Sequence, residues 1–145
     1  MPAPWAYFDT SVLVKRYVRE QGSARARALL RRYRFLSSAL APAEALSALT
    51  RRRAAGDVDE QDSVAILNRM HKDRAYWTFV EVTPLVLSRA EELMVKTALR
   101  TLDAIHVASA MTFQATLGTA IPFITGDARQ REVADQSAMD VVWVE

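Results

Sequence analysis

Five short, mostly apolar runs punctuate this chain, and one or two helical stretches separate each from the next. The runs are Trp5–Phe8, Phe35–Ser38, Trp77–Val82, Ile121–Thr125 and Val141–Val144. Their length and their aromatic and β-branched content mark them as strands. Helices are predicted after a Thr10 or Ser11 cap to about Glu20, over Ala24–Arg34, and from Pro42 to about Ala55. Further helices run from the Asp57–Asp62 cluster to about Tyr76, from Pro84 to about Leu99, from a Thr101 cap to about Leu117, and over Ala128–Ala134. Gly22, Gly56 and Gly118 fall where helices break. The order is β-α-α-β-α-α-β-α-α-β-α-β. Such alternation predicts an α/β fold with a central parallel sheet covered on both faces by helices.

The chain has 145 residues, one domain's worth, and half of them are apolar. Residues 1–145 are therefore expected to form a single domain. No cysteine is present, which excludes a disulfide scaffold, a zinc–thiolate site, an iron–sulfur cluster and thiol catalysis. The two histidines, His71 and His106, are too far apart in sequence for a helical HExxH zinc motif. Any bound metal must then rely mainly on oxygen ligands. The acidic cluster after Gly56 is not a calcium loop, because position six is Asp62 rather than glycine and position twelve is Asn68 rather than glutamate. No apolar run approaches the ~18 residues of a membrane span. The N-terminus lacks a basic region, and Asp9 interrupts the apolar stretch after it. A cytoplasmic protein with no membrane association is expected.

Net charge is only +2, but the positive charge is clustered. Eight basic residues and one acid, Glu20, lie between Lys15 and Arg34, and Arg51-Arg52-Arg53 forms a second cluster. Arginine greatly outnumbers lysine, and its planar fork suits phosphate and carboxylate. A polyanion or an acidic protein partner is expected, with Lys15, Arg16, Arg19, Arg51 and Arg52 as candidate contacts to a nucleic-acid backbone.

In open α/β sheets, ligands bind beyond the C-terminal ends of the strands. Asp9 closes the first strand, and Asp127 follows the fourth across the Gly126 turn. Glu44 and Asp103 fall in the first turns of helices. If those helices start at the same sheet edge, four carboxylates converge. Together they repel one another, and a hard divalent cation relieves that repulsion. Mg²⁺ or Mn²⁺ is the expected cofactor, and phosphodiester hydrolysis by metal-activated water the expected chemistry. Taken singly, Asp103, Glu44 and Asp127 could equally favour a helix start by charge or capping. His106, one turn after Asp103, is expected to be a partly buried, hydrogen-bonded structural residue rather than a proton carrier. Trp5, Trp77 and Trp143 are read as core.

The segments Tyr7-Phe8-Asp9-Thr10-Ser11 with Lys15, Ala43-Glu44, Leu99–His106 and Phe123-Ile124-Thr125-Gly126-Asp127 resemble the motifs of PIN-domain ribonucleases. In particular they resemble VapC-type toxins of toxin–antitoxin pairs, in order and spacing over nearly the whole chain. The resemblance implies a three-layer α/β/α sandwich with about five strands in the order 3-2-1-4-5. It implies that Asp9, Glu44, Asp103 and Asp127 are the catalytic, metal-binding acids, with Ser11 and Thr125 as supporting hydroxyls. It also implies an RNA substrate such as transfer or ribosomal RNA, a cognate antitoxin and a homodimer. Two features depart from the pattern: Gly126 before Asp127, and a glycine-free segment over residues 135–139. A haloacid-dehalogenase-like phosphatase needs an aspartate where Ser11 stands, and a response-regulator receiver needs an acidic pair that residues 5–8 lack. The alternatives that stay open are a PIN nuclease of RNA processing and an inactive PIN-like binding module.

Overall fold

The computed structural model describes residues 2–145. Its five strands are β1 (Trp5–Phe8), β2 (Arg34–Ser38), β3 (Thr78–Val80), β4 (Pro122–Thr125) and β5 (Asp140–Trp143). All neighbouring pairs are parallel, and the sheet order is β3-β2-β1-β4-β5, as the resemblance implied. The helices are α1 (Thr10–Tyr17), α2 (Ser23–Arg32), α3 (Ala41–Ala54), α4 (Glu60–Asp73), α5 (Pro84–Lys96), α6 (Thr101–Leu117) and α7 (Ala128–Gln136). A 3₁₀ turn, Arg74–Tyr76, follows α4.

Side chains alternate across the sheet and build two cores. Ala6, Phe8, Phe35 and Ile124 face α1–α4, where Val12, Leu13, Leu29, Leu49 and Ile66 close the layer. Tyr7, Leu36 and Phe123 point the other way, onto Val86, Ala90, Ala104, Val107 and Ala108 of α5 and α6. Register explains the sorting: Tyr7 lies level with both Leu36 and Phe123, and Phe8 with Ile124. Aromatic rings stack along it, Tyr7 on Phe123 and Phe8 on Phe35, each with centroids 5.3 Å apart. Crossovers between parallel strands are right-handed. From β1 the chain steps through β2 to β3, then jumps back past β1 to β4 and β5. That reversal puts α1–α4 on one face and α5–α7 on the other. It also opens a crevice between β1 and β4 at the C-terminal edge.

Several boundaries differ from expectation, each for a local reason. The first helix stops at Tyr17 rather than near Glu20, because Ser23 turns its hydroxyl on this stretch. Ser23 Oγ donates to the Val18 carbonyl and accepts from the Glu20 N–H. The turn passes through Gly22 at φ +85°, where a Cβ would stand 2.7 Å from the Glu145 carbonyl carbon. Arg34 leaves the second helix and joins β2, its N–H donating to the Pro4 carbonyl. The third strand shrinks to three residues at the sheet edge, since Trp77 is still held by the 3₁₀ turn through its N–H to the Arg74 carbonyl. The fifth helix ends at Lys96, where the Thr97 hydroxyl takes the Leu93 carbonyl. Thr101 does not cap α6; Arg100 holds that position without a side-chain bond. The three tryptophans are only half-buried. Among the described residues, no helix is long and apolar enough to cross a membrane.

Candidate active site

Asp9 leaves β1 at the switch point and is itself the cap of α1, a role expected of Thr10 or Ser11. Its carboxylate is fully buried. Oδ1 accepts from the Ser11 hydroxyl at 2.5 Å and the Val12 N–H at 3.2 Å. Oδ2 accepts from the Thr125 hydroxyl at 2.5 Å. Ser11 and Thr125 are thus the two hydroxyls that grip this acid, one from each neighbouring segment. Each also accepts a backbone N–H of the following turn, Gly126 to Ser11 Oγ and Asp127 to Thr125 Oγ1. Burial raises the Asp9 pKa above the ordinary carboxylate value, and His106 with the three donors offsets only part of that rise.

The other three acids arrive on separate elements. Pro42 and Glu44 both stand in the first turn of α3. Asp103 stands in the first turn of α6. Asp127 ends the β4 turn and caps α7, its Oδ1 accepting from the N–H groups of Arg129 and Gln130. All four line one cavity of about 580 Å³ at the C-terminal sheet edge, with Ser11, His106 and Gln130 in its walls. Arg100 and Arg129 continue the same edge beside Glu44, Asp103 and Asp127.

Polar groups in the cavity's walls fix two more of the carboxylates, Glu44 and Asp103. His106 is buried, with Nε2 2.7 Å from Glu44 Oε1 and Nδ1 2.7 Å from the Tyr7 hydroxyl. The Thr10 hydroxyl donates to the same Glu44 oxygen at 3.0 Å. Burial raises the Tyr7 pKa well above its usual value, so the phenol keeps its proton. Gln130 Nε2 donates to Asp103 Oδ1 at 2.8 Å. The expectation of a hydrogen-bonded His106 holds, but the ring is fully rather than partly buried and its partner is a cavity acid, which the helix pattern alone did not reveal. Thr10 and Gln130 were not anticipated. Gln130 lies one turn after Asp127 on α7, a spacing without chemical signature.

The donor set fits a hard cation. It is all oxygen, and among the described residues no lysine or arginine forms an ion pair with Asp9, Asp103 or Asp127. Glu44, Asp103 and Asp127 each retain one carboxylate oxygen without a protein hydrogen bond among the described residues. The buried Gln130 Oε1 likewise has no partner. The acids share the cavity without closing into a preformed cage: no three metal-ligating side chains of the described residues are close enough for that. A cation that keeps several of its waters suits such spacing.

The basic residues expected to meet RNA are scattered. Arg51 lines the acidic cavity, its Nη1 donating to Ser47 Oγ at 2.7 Å. Lys15 is tied to Glu20 Oε1 at 3.2 Å and the Gln21 carbonyl at 2.9 Å. Arg52 also pairs with Glu20. Arg16 sits at the opposite sheet edge, bound to Asp73 at 3.1 Å, and Arg19 is exposed. The Gly126 turn is crowded by the same packing. A Cβ there would lie 3.0 Å from the Val144 carbonyl oxygen, 3.2 Å from Lys15 Cε and 3.3 Å from Ser11 Oγ.

Comparison with known proteins agrees with this arrangement. The PIN domain family model matches residues 6–136. Ribonuclease VapC46 of Mycobacterium tuberculosis is 36% identical over 137 residues, 94% of this chain and 95% of the relative. Two solved structures share the fold with a TM-score of 0.67, each covering 94% of this chain and 95% of the other. One is a toxin–antitoxin complex from Klebsiella pneumoniae at 16% identity, and the other is FitAcB from Neisseria gonorrhoeae at 13%. A buried aspartate at the sheet's switch point, three further acids around it and these matches together place the chain in the PIN-domain family, among its VapC-type ribonucleases.

Proposed function

We propose that the chain is the toxin of a toxin–antitoxin pair, an endoribonuclease that hydrolyses RNA with Mg²⁺ or Mn²⁺. The observation that carries this reading is the convergence of four carboxylates from four separate elements on one cavity, three of them without a paired cation. Asp9, Asp103 and Asp127 would hold the cation, with Glu44 completing the set directly or through water. When bound, the cation supplies a Lewis acid and an activated water for phosphodiester hydrolysis. Ser11 and Thr125 hold Asp9 in one rotamer, and the His106–Tyr7 pair holds Glu44. Arg51 lines the cavity, Arg100 and Arg129 continue its edge, and all three would receive phosphates. Phosphate contacts set the position of the strand and leave sequence choice to unpaired bases and shape.

The antitoxin partner is supported by the neighbour solved as a toxin–antitoxin complex. Transfer RNA or ribosomal RNA as target, a homodimer and a cytoplasmic location complete the reading. The chemistry of the cut ends tests it. Purified protein is incubated with structured RNAs in Mg²⁺ or Mn²⁺, with and without chelator. Hydrolysis leaves 5′-phosphate and 3′-hydroxyl ends and stops with chelator. Cyclic 2′,3′-phosphate ends that persist in chelator would mean that the RNA's own 2′-hydroxyl attacks, and the acidic site would then not be the hydrolytic centre.

A further inference from the structure

A second cavity, of about 440 Å³, lies at the opposite edge of the sheet, where β1, β2 and β3 begin. It is within the size range of small-ligand pockets. Its position follows from the strands: Trp5 opens β1, Arg34 opens β2 and Thr78 opens β3. Along β1 the distance from Trp5 to Asp9 is roughly 13 Å. The two cavities share no lining residue.

The chemistry of its walls is aromatic and basic. Trp5, Tyr33, Tyr76 and Trp77 line it. Tyr76 is 85% exposed, a large ring left on the surface at the rim, while Trp77 is only half-buried and packs against Phe35 at 5.4 Å. Three arginines, Arg16, Arg31 and Arg34, face a single acid, Asp73. That acid is already engaged, accepting from the Tyr17 hydroxyl at 2.5 Å and from Arg16 Nε at 3.1 Å. Arg31 and Arg34 form no ion pair among the described residues. Arg31 lies in the last turn of α2, where a cation complements the helix dipole. Arg34 lies beyond the helix, in β2, so no such role accounts for it. Its guanidinium lies 3.7 Å from the centre of the Trp5 ring. A guanidinium held against an aromatic ring retains in-plane N–H donors for an anion.

Aromatic faces beside uncompensated arginines select a ligand that is planar and anionic at once. We propose that this cavity binds a nucleotide unit, its base stacked on Tyr76 and Trp77 and its phosphate held by Arg31 and Arg34. A free mononucleotide and an unpaired nucleotide of an RNA strand present that same chemistry. The site stands apart from the acidic cavity, so it can fail while the nuclease reading survives, and the reverse.

The test uses the full chain in chelator, so that no RNA is cut. AMP and a hexauridylate RNA are titrated separately against tryptophan fluorescence and by calorimetry, with adenosine and inorganic phosphate as part-ligands. AMP quenches the fluorescence and binds more tightly than either part alone. Tyr76→Ala, Arg31→Ala and Arg34→Ala each weaken AMP about tenfold. If the same variants also weaken hexauridylate, the occupant is an RNA nucleotide; if they leave it unchanged, the occupant is a free mononucleotide. Both results support the site. Tyr76 and Arg31 are exposed, so their variants keep the test sound if loss of the Arg34–Trp5 stack unfolds the protein. AMP that does not bind at millimolar concentration, or binds all three variants as it binds wild type, overturns the proposal. So does selective binding of an acidic peptide in place of AMP.

Discussion

Thr125→Val removes one oxygen from the centre of the site and keeps the side chain's shape. The hydroxyl has two partners: it donates to Asp9 Oδ2 at 2.5 Å and accepts from the Asp127 N–H at 2.9 Å. A hydrogen bond to a charged group contributes about 1.5–3 kcal/mol, and a buried polar group left unpaired costs about 1–3 kcal/mol. Counting the second partner as partly solvated, the substitution should destabilise the metal-free protein by about 2–4 kcal/mol. For a chain of this size that lowers the melting temperature by roughly 6–15 °C. The loss also depends on pH. The folded-state pKa of Asp9 already lies above its usual value of 3.8, because burial disfavours the charged form. Ionising Asp9 therefore costs the folded state stability as pH rises from 3.8 through the folded pKa. Removing a donor raises that pKa further, so the penalty in the variant is largest at neutral pH and shrinks as Asp9 protonates. Thermal unfolding followed by circular dichroism in chelator, from pH 7 downward, measures both effects. Thr125→Ser should restore most of the loss. A Thr125→Val protein that melts within about 1 °C of wild type, or a penalty that does not vary with pH, would refute the reasoning.

Gly126→Ala should cost about 1–3 kcal/mol in a denaturant titration, since its Cβ meets the Val144 carbonyl oxygen at 3.0 Å and Ser11 Oγ at 3.3 Å. RNA cleavage should fall with it, because Ser11 is displaced from Asp9. Burial pushes the Asp73 carboxyl up, but hydrogen bonds from Tyr17 and Arg16 outweigh it and hold the pKa below 3.8. That stability is present above pH 3.8 and is lost as pH falls through the folded value. Asp73→Asn should therefore lower the melting temperature at pH 7 and converge on wild type in strong acid. Arg51→Ala should weaken RNA binding and reduce its salt slope by about 0.7 per lost phosphate contact. Arg52→Ala, whose guanidinium is held by Glu20, should leave both nearly unchanged.

That the sheet is parallel was legible because each strand run is bounded by helix signals, whereas its strand order was legible only through the resemblance to PIN-domain ribonucleases. Strand ends were legible where a glycine or a cap enforces them, and less so at the sheet edge. Trp77 reads as strand by its residue type, yet local 3₁₀ bonding holds it back. The acids were placed by a rule about sheets rather than by their neighbours in sequence, and that rule is topological, so it survived small boundary shifts. Side-chain pairing behaves differently. Lys15, Arg52 and Arg16 look alike as members of a basic cluster, but Glu20 holds two of them and Asp73 the third. The Lys15–Glu20 contact is local, but Arg16 meets Asp73 and Arg52 meets Glu20 only when α1, α3 and α4 pack. The His106–Glu44 bond spans 62 positions and Gln130–Asp103 spans 27, so neither leaves a periodic trace. Asp9 as its own helix cap could have been read from the sequence, because aspartate is as good a cap as Thr10 or Ser11.

The central claim is that the four acids form one hydrolytic site, and Asp9 is its buried member. Replacing Asp9 with asparagine keeps the shape and an acceptor for Ser11 and Val12 while removing the charge. The decisive measurement is RNA cleavage by wild type and Asp9→Asn in Mg²⁺ or Mn²⁺, on a substrate that wild type cuts, with folding of both proteins checked by thermal melting. The account predicts cleavage that needs both the divalent cation and Asp9, with the folded variant inactive. Cleavage by folded Asp9→Asn at the wild-type rate, or by wild type in chelator, would contradict it.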